Sequence, residues 1–181
     1  CGGSVIREGD LLVPAFKNAT YWSTEKHWYW AVEPNAREKA SFLKENIIPL
    51  QQSGQLKFVD TPRHQNVDFL ATAPFADNIS VRFTHGHTES MMLPQIQYGE
   101  KTIVFMADLL PSAAHIPLPY VMAYDMFPLT TLEEKSMFLN EALDKNYILF
   151  FEHDPVYECC TLAQTDRGIR PADFFKLQDL M

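Results

Sequence analysis

The sequence has no long apolar run, few cysteines and a deficit of basic residues, and each shortage excludes a class of protein. No stretch approaches the roughly 18 uninterrupted apolar residues of a membrane-spanning helix, so we expect no membrane partner. The chain has 15 Lys and Arg against 23 Asp and Glu, a net charge of −8. This balance argues against a nucleic-acid partner, because phosphate binding needs clustered basic residues.

The three cysteines are too few, and too unevenly placed, for a disulfide framework. Two of them, Cys159 and Cys160, are adjacent in a mostly apolar run, which favours small buried thiols. We therefore expect a reducing compartment, the cytoplasm.

The chain has the size and composition of one folded domain. Its 181 residues, of which 46% are hydrophobic, suffice to bury a core. There is no internal repeat, low-complexity segment or long linker. We predict a single domain over residues 1–181, of mixed α and β class, and the sequence leaves a homo-oligomer open.

The apolar spacing predicts the order of strands and helices. In the first third we predict two strands, Asp10–Pro14 and Ala19–Trp22. Two helices follow: one is capped by Ser23 and ended by Pro34, and the other is Ala36–Asn46. The aromatic residues near that first helix, Trp22, Trp28, Tyr29 and Trp30, are interpreted as core packing rather than a ligand platform.

Strands dominate the middle of the chain. We predict a half-buried strand Ile79–Phe83 and a hairpin of Met91–Tyr98 and Thr102–Ala107. A helix that begins with a capping box at Thr131 follows. The last predicted elements are a strand Tyr147–Phe151 and a terminal helix Asp173–Leu180. The charges at Glu133, Glu134 and Lys135 are interpreted as a solvated helix face.

Three side chains with metal-binding chemistry follow predicted strands. His87, Asp108 and His153 each come shortly after an apolar segment, and strand ends place side chains at a common edge where loops build sites. Imidazole and carboxylate are ligands of zinc, iron and manganese. The alternative for each residue is a turn or hydrogen-bonding role.

The order of these motifs resembles the second half of the metallo-β-lactamase superfamily, from Cys1 to about Thr161. The matching pieces, in chain order, are Gly86-His87-Thr88, a hairpin, Asp108 with Pro111, a helix, an apolar strand and His153-Asp154. The resemblance implies the C-terminal part of the αββα sandwich. It assigns His87 to one metal, His153 to a second and Asp108 to a bridge between them, with His85 as a rival ligand.

The opening Cys1-Gly2-Gly3 resembles the residues directly after the main metal signature of that family, His-x-His-x-Asp-His. The resemblance implies that this signature lies just before Cys1, and that the segment carrying it is a necessary partner of this chain. Further likeness to lactonase-like members lies in Asn18-Ala19-Thr20-Tyr21 with Glu25 and Trp28. By itself, we expect the chain to bind metal weakly and to catalyse little.

The activity that the resemblance implies is hydrolysis of an ester-like bond in a small molecule. The bond would be that of a lactone, ester, thioester or organophosphorus ester, cleaved with a hydroxide held between two divalent ions. Zinc is the first expectation, with iron or manganese as alternatives, and Asp108 is the catalytic residue because it sets the spacing of the ions.

The Pro-rich segment 109–128 is the predicted pocket wall. His115 and Tyr120 are its candidate substrate contacts, with packing and turn roles as alternatives. Leu109, Leu110 and Pro111 stand where some lactone-cleaving relatives carry a Tyr, which argues against a lactonase.

Three other interpretations remain open. A nuclease of the same superfamily is disfavoured by the acidic composition. A non-catalytic binding or scaffold domain would have no reason to keep His87, Asp108 and His153. The chain could also be an inactive fragment of the enzyme.

Overall fold

The computed structural model describes residues 2–59 and 72–180. Backbone contacts divide the chain into two compact units, Cys1–Asp60 and Thr61–Met181. No helix of the described part is long and apolar enough to cross a membrane.

The first unit contains two small sheets and two short helices. Its elements are β1 (Val5–Glu8), β2 (Leu11–Pro14), β3 (Tyr21–Ser23), α1 (Glu25–Val32), α2 (Ile48–Gln52) and β4 (Leu56–Phe58). Strands β1 and β2 form an antiparallel hairpin, whereas β3 and β4 pair in parallel. The cap of α1 is Thr24 rather than the predicted Ser23, because the Thr24 hydroxyl accepts the His27 amide at 3.0 Å.

The predicted helix Ala36–Asn46 is wrong. This segment contains turns and a short 3₁₀ helix, Lys44–Asn46. The Asn35 side chain accepts the amides of Arg37 and Glu38 at 2.8 and 3.1 Å. This is the arrangement of a helix N-cap, and it starts one turn, but the following residues do not continue it as an α-helix.

Only part of the aromatic group near α1 belongs to the core of this unit. Trp28 packs with Ala31 and Ile47, whereas Tyr29 is 61% exposed and Trp22 42% exposed. The prediction of core packing is therefore confirmed for Trp28 and wrong for Tyr29 and Trp22.

The second unit is a seven-stranded sheet with one long helix. Its elements are β5 (Thr72–Ala76), β6 (Ile79–Thr84), β7 (Met91–Tyr98), β8 (Lys101–Phe105), α3 (Pro128–Asp144), β9 (Ile148–Phe150), β10 (Cys159–Thr165) and β11 (Gly168–Phe175). The strands lie side by side in chain order, from β5 at one edge to β11 at the other. Neighbours are antiparallel except β8 and β9, which are parallel and joined through α3. This mixed sheet confirms the predicted α and β class.

Strands β6, β8 and β9, which precede the three candidate ligands, point the same way. Strand β6 is antiparallel to β7, which is antiparallel to β8, so β6 runs in the direction of β8 and β9. These strands end at Thr84, Phe105 and Phe150, and Phe105 and Phe150 are register partners. Their carboxyl ends therefore lie side by side along one border of the sheet, which is called the shared edge below.

Helix α3 packs against the main core through one face. Phe138, Leu139 and Ala142 are buried with sheet residues such as Leu93 and Val104. The helix begins at Pro128, three residues before the predicted cap Thr131, because proline is preset for the first helical turn. The Thr131 hydroxyl instead donates to the Phe127 carbonyl at 3.4 Å.

The predicted terminal helix Asp173–Leu180 is wrong. Its first residues belong to β11, where Phe174 and Phe175 pair with Cys160 and Cys159, and only Leu177–Leu180 forms a 3₁₀ turn. Cross-strand pairing outweighs the helical spacing of the apolar residues. The prediction that Cys159 and Cys160 are buried is confirmed.

Candidate functional site

The Asp108 carboxylate lies between two imidazole rings. Its Oδ2 is 3.4 Å from Nε2 of His87, and its Oδ1 is 3.5 Å from Nε2 of His153. Each of these three residues lies three positions beyond a strand of the shared edge, after β6, β8 and β9 respectively. The structure therefore brings the three predicted ligands together.

The backbone turns sharply where Asp108 enters this edge. Ala107 has a φ of 42°, in the left-handed region that residues other than glycine seldom adopt. Strain of this kind concentrates at sites where side-chain direction matters. Here it re-aims the chain directly before the carboxylate.

The separations fit two ligand pairs around one shared carboxylate. Two ligands of a tetrahedral zinc ion, each about 2.0–2.2 Å from it, are about 3.3–3.6 Å apart. The spacings from Asp108 to His87 and to His153 have this length, and each uses a different carboxylate oxygen. Within residues 2–59 and 72–180, however, no three His, Cys, Asp or Glu side chains are grouped to hold one ion. The described residues thus contain two imidazole–carboxylate pairs that share Asp108.

Asp125 holds the opposite side of the His87 ring. Its Oδ1 is 2.9 Å from Nδ1 of His87, and its side chain is 1% exposed. A carboxylate can only accept, so Nδ1 donates the hydrogen to Asp125, and Nε2 is the ring nitrogen that faces Asp108. Bonds of this kind fix the tautomer and direction of a metal-binding imidazole.

The turn before His87 is attached to helix α3. Glu134 accepts the amide of His85 at 2.7 Å and that of Gly86 at 3.1 Å. A Cβ on Gly86 would lie 2.3 Å from the Thr131 backbone nitrogen, so only glycine allows this approach. Burial raises the pKa of Glu134 to about 7, although the two amides oppose that shift.

His153 is the most exposed member of the group, with 57% of its side chain accessible. Its amide donates to the Pro111 carbonyl at 3.0 Å. The neighbouring Asp154 accepts the amides of Ala113, Val156 and Tyr157. These bonds overcome the effect of burial and lower the pKa of Asp154. The segment after Asp108 and the segment around His153 are thus joined by one backbone hydrogen bond and by the Asp154 side chain.

Lys135 anchors the predicted pocket wall, segment 109–128. Its ammonium group donates to the carbonyls of Pro117, Leu118 and Tyr120 at 3.2, 3.1 and 2.7 Å. The residue is fully buried, and burial lowers its pKa to about 8. Apart from the 3₁₀ turn Ala113–His115, the segment has no regular structure before α3.

The two candidate substrate contacts lie in different surroundings. His115 is half-buried and bonds the Ser112 hydroxyl at 2.9 Å. Burial and the charge of Lys135 lower its pKa, while Asp125 opposes the shift. Tyr120 is 60% exposed. The rival ligand His85 lies 3.0 Å from Glu89 through its Nδ1.

Sequence reasoning missed the support of this site. The sequence pattern places Glu134 and Lys135 on a solvated face, yet they are 4% and 0% exposed, so that prediction is wrong. The signal was present in the helical spacing, since the buried positions of α3 are Thr131, Glu134, Lys135, Phe138, Leu139 and Ala142.

Comparisons with solved structures find the same architecture. The chain is similar to a probable metal-dependent hydrolase from Staphylococcus aureus, at 21% identity and a TM-score of 0.75, over 90% of this chain and 54% of that one. It is similar to AbOPH, a hydrolase of the β-lactamase superfamily, at 18% identity and a TM-score of 0.69, over 90% and 57% of the two chains. It is also similar to AidC, a dizinc quorum-quenching lactonase, at 20% identity and a TM-score of 0.62, over 88% and 56%.

No protein-family model and no curated protein matches the sequence. The chain spans about half the length of the solved structures it matches. Over the matched half of those structures, this chain has the fold of the metal-dependent hydrolases of the β-lactamase superfamily.

Proposed function

We propose that these residues belong to a metal-dependent hydrolase that cleaves an ester-like bond in a small molecule. The observation that carries the proposal is the Asp108 carboxylate, whose two oxygens face two different imidazoles at 3.4 and 3.5 Å. A carboxylate in this position can serve two divalent ions at once. Zinc is the ion we expect first, with iron or manganese as alternatives.

Each residue has a separate task in this proposal. Asp108 would hold both ions through its two carboxylate oxygens, and His87 and His153 would each supply one imidazole nitrogen. When bound, the ions supply a nucleophile from water at neutral pH and polarise a carbonyl or phosphoryl oxygen. Asp125 keeps His87 in the tautomer that can act as a ligand. We expect further ligands from the upstream segment that the resemblance implies, with His85 as the rival ligand within this chain.

The proposed substrate is a lactone, ester, thioester or organophosphorus ester. Support comes from AidC, a dizinc quorum-quenching lactonase whose structure contains an N-acyl-L-homoserine product. His115 and Tyr120 are the proposed contacts on the pocket wall. Because the free thiols of Cys159 and Cys160 are buried without a disulfide, we propose the cytoplasm as the compartment.

The direct test is metal content and hydrolysis by the full-length protein that contains this chain. Metal analysis after purification in zinc should give about two equivalents for the wild type, about one for His87→Gln or His153→Gln, and the largest loss for Asp108→Asn. Asp166→Asn, at an exposed turn position, is the matched control and should keep both ions.

Activity is then measured against a lactone, a carboxylic ester, a thioester and an organophosphorus ester. At least one should be hydrolysed by the wild type and by Asp166→Asn, but not by Asp108→Asn. Full metal content in Asp108→Asn would overturn the proposal. Full metal content in the wild type without hydrolysis of any of the four would favour a non-catalytic binding domain.

A further inference from the structure

Glu134 divides its carboxylate between two consecutive backbone amides. Its Oε1 accepts the His85 amide at 2.7 Å, and its Oε2 accepts the Gly86 amide at 3.1 Å. The residue is 4% exposed. A buried carboxylate is costly unless it is hydrogen-bonded, so this arrangement commits Glu134 to the turn that leads into His87.

The same turn is held from its other side by the start of α3. The Phe127 amide donates to the Gly86 carbonyl at 2.8 Å, and the Met126 amide donates to the His87 carbonyl at 3.1 Å. Gly86 also lies against Thr131, at a distance that excludes any side chain. Both polar groups of the Gly86 backbone are therefore bound by one helix and the residues that precede it.

We propose that Glu134 is a positioning residue that fixes the backbone of the Gly86-His87 turn, and so places the His87 imidazole for an ion shared with Asp108. The inference rests on the proposed function in one respect, that His87 binds a metal ion. Asp125 orients the His87 ring, whereas Glu134 holds the backbone from which the ring projects. A ligand must be held to within about 0.5 Å for tight binding, which requires both kinds of support.

A purely structural role would give a different result, which a double-mutant cycle detects. If Glu134 acts through His87, its substitution weakens zinc binding only while His87 is present. If Glu134 merely stabilises the fold, its substitution lowers the free energy of unfolding without this dependence.

The experiment measures the zinc dissociation constant of the full-length protein by competition with a chromophoric chelator. The variants are Glu134→Gln, His87→Gln and the double variant, with Glu133→Gln as the control. Glu133 is the exposed neighbour of Glu134 on the same helix. Glutamine keeps one acceptor but sets an amide NH₂ group against the other N–H, so one of the two bonds is lost.

We expect Glu134→Gln to weaken zinc binding about tenfold and Glu133→Gln to leave it unchanged. In the His87→Gln background, the Glu134 substitution should change the zinc dissociation constant less than about twofold. The reason is that the His87 imidazole, through which Glu134 acts, is already absent. Amide hydrogen exchange of the metal-free protein should be faster at His85 and Gly86 in Glu134→Gln, which reports the lost bond without metal.

Two results would overturn the inference. One is faster amide exchange in Glu134→Gln with wild-type zinc affinity, and the other is an equal loss of affinity in both His87 backgrounds. By contrast, unchanged zinc affinity in His87→Gln would overturn the proposed function itself. If Glu134→Gln does not fold, Glu134→Asp replaces it, because aspartate keeps the charge and has a side chain shorter by one methylene. Its effect on the zinc dissociation constant must then depend on His87 in the same way.

Discussion

His87 and Asp125 are joined by a 2.9 Å hydrogen bond from Nδ1 to a carboxylate with 1% side-chain exposure. The two residues are 38 positions apart, and the contact links the turn after β6 to the end of the predicted pocket wall. The second oxygen of Asp125 has no hydrogen-bond partner among the described residues. The hydrogen bond of this carboxylate is thus made to the imidazole, while its charge also acts on His115 and Lys135.

This bond predicts the effect of Asp125→Asn on metal binding. Asparagine can still accept from Nδ1 but carries no charge, so the imidazole becomes a weaker ligand. We expect the zinc dissociation constant to rise about 10- to 100-fold, measured by chelator competition. Asp166→Asn should have no effect. An unchanged constant in Asp125→Asn would show that the bond has no influence on a metal.

The close approach of Gly86 to α3 predicts a loss of stability in Gly86→Ala. The added Cβ would lie 2.3 Å from the Thr131 backbone nitrogen, so the turn or the helix must move. We expect the free energy of unfolding to fall by about 1–3 kcal/mol, measured by urea titration. Gly3→Ala is the control, because nothing lies within 4 Å of its Cβ position. Equal stability of the two variants would refute the close packing.

The three carbonyl bonds of Lys135 predict that its substitution loosens the pocket wall. In Lys135→Met the carbonyls of Pro117, Leu118 and Tyr120 lose their common donor. We expect a loss of about 1–3 kcal/mol in unfolding free energy and faster proteolysis within residues 109–128. Lys101→Met, at an exposed position, should change neither. Wild-type protease resistance in Lys135→Met would contradict the anchoring role.

The ion pair of Arg82 with Glu141 predicts how stability depends on acid. Burial alone would raise the pKa of Glu141, but bonds from Arg82 and Lys145 outweigh it and hold that pKa at about 2. Since the folded pKa lies below its ordinary value, the unfolded chain binds the proton first on acidification. The contribution is therefore present above about pH 4.5 and is lost as the pH falls towards 2.

Glu141→Gln should remove this dependence. Urea unfolding at several pH values between 2 and 4.5 should give a shallower slope of unfolding free energy against pH than in the wild type. Glu133→Gln should keep the wild-type slope. The assignment fails if Glu141→Gln retains it too.

The buried thiols predict slow alkylation. Burial raises the pKa of Cys159 to about 11 and that of Cys160 to about 12, and the thiolate is the reactive form. Iodoacetamide at pH 8 should leave the peptide containing both residues unmodified in the folded protein and modify it in urea, as measured by mass spectrometry. Rapid modification under native conditions would contradict their burial.

The position of the candidate site follows largely from local sequence pattern. Strand periodicity located the hairpin of β7 and β8 and the buried strand β9. His87, Asp108 and His153 each follow a strand, and strand ends in a mixed sheet share an edge. Local pattern gave their places at strand ends because each place depends on the strand directly before it, whereas their choice as ligands came from the resemblance to the metallo-β-lactamase superfamily.

Two of the predicted helices did not follow from the periodicity of apolar residues. The apolar spacing of Ala36–Asn46 is helical and Asn35 caps a first turn, yet the segment continues as turns and the 3₁₀ helix Lys44–Asn46. Likewise, Phe174 and Phe175 belong to a strand because they pair with Cys160 and Cys159. At this second place, cross-strand pairing outweighed a weak helical propensity.

Local pattern thus placed His87, Asp108 and His153 at strand ends, but only the folded chain could identify the residues that support them. Asp125, Glu134 and Lys135 are charged, and charged residues are usually exposed. Each is buried because a partner far along the chain supplies a hydrogen bond: His87 for Asp125, the His85 and Gly86 amides for Glu134, and the carbonyls of residues 117–120 for Lys135. Without those partners, burial of each charge would be unfavourable.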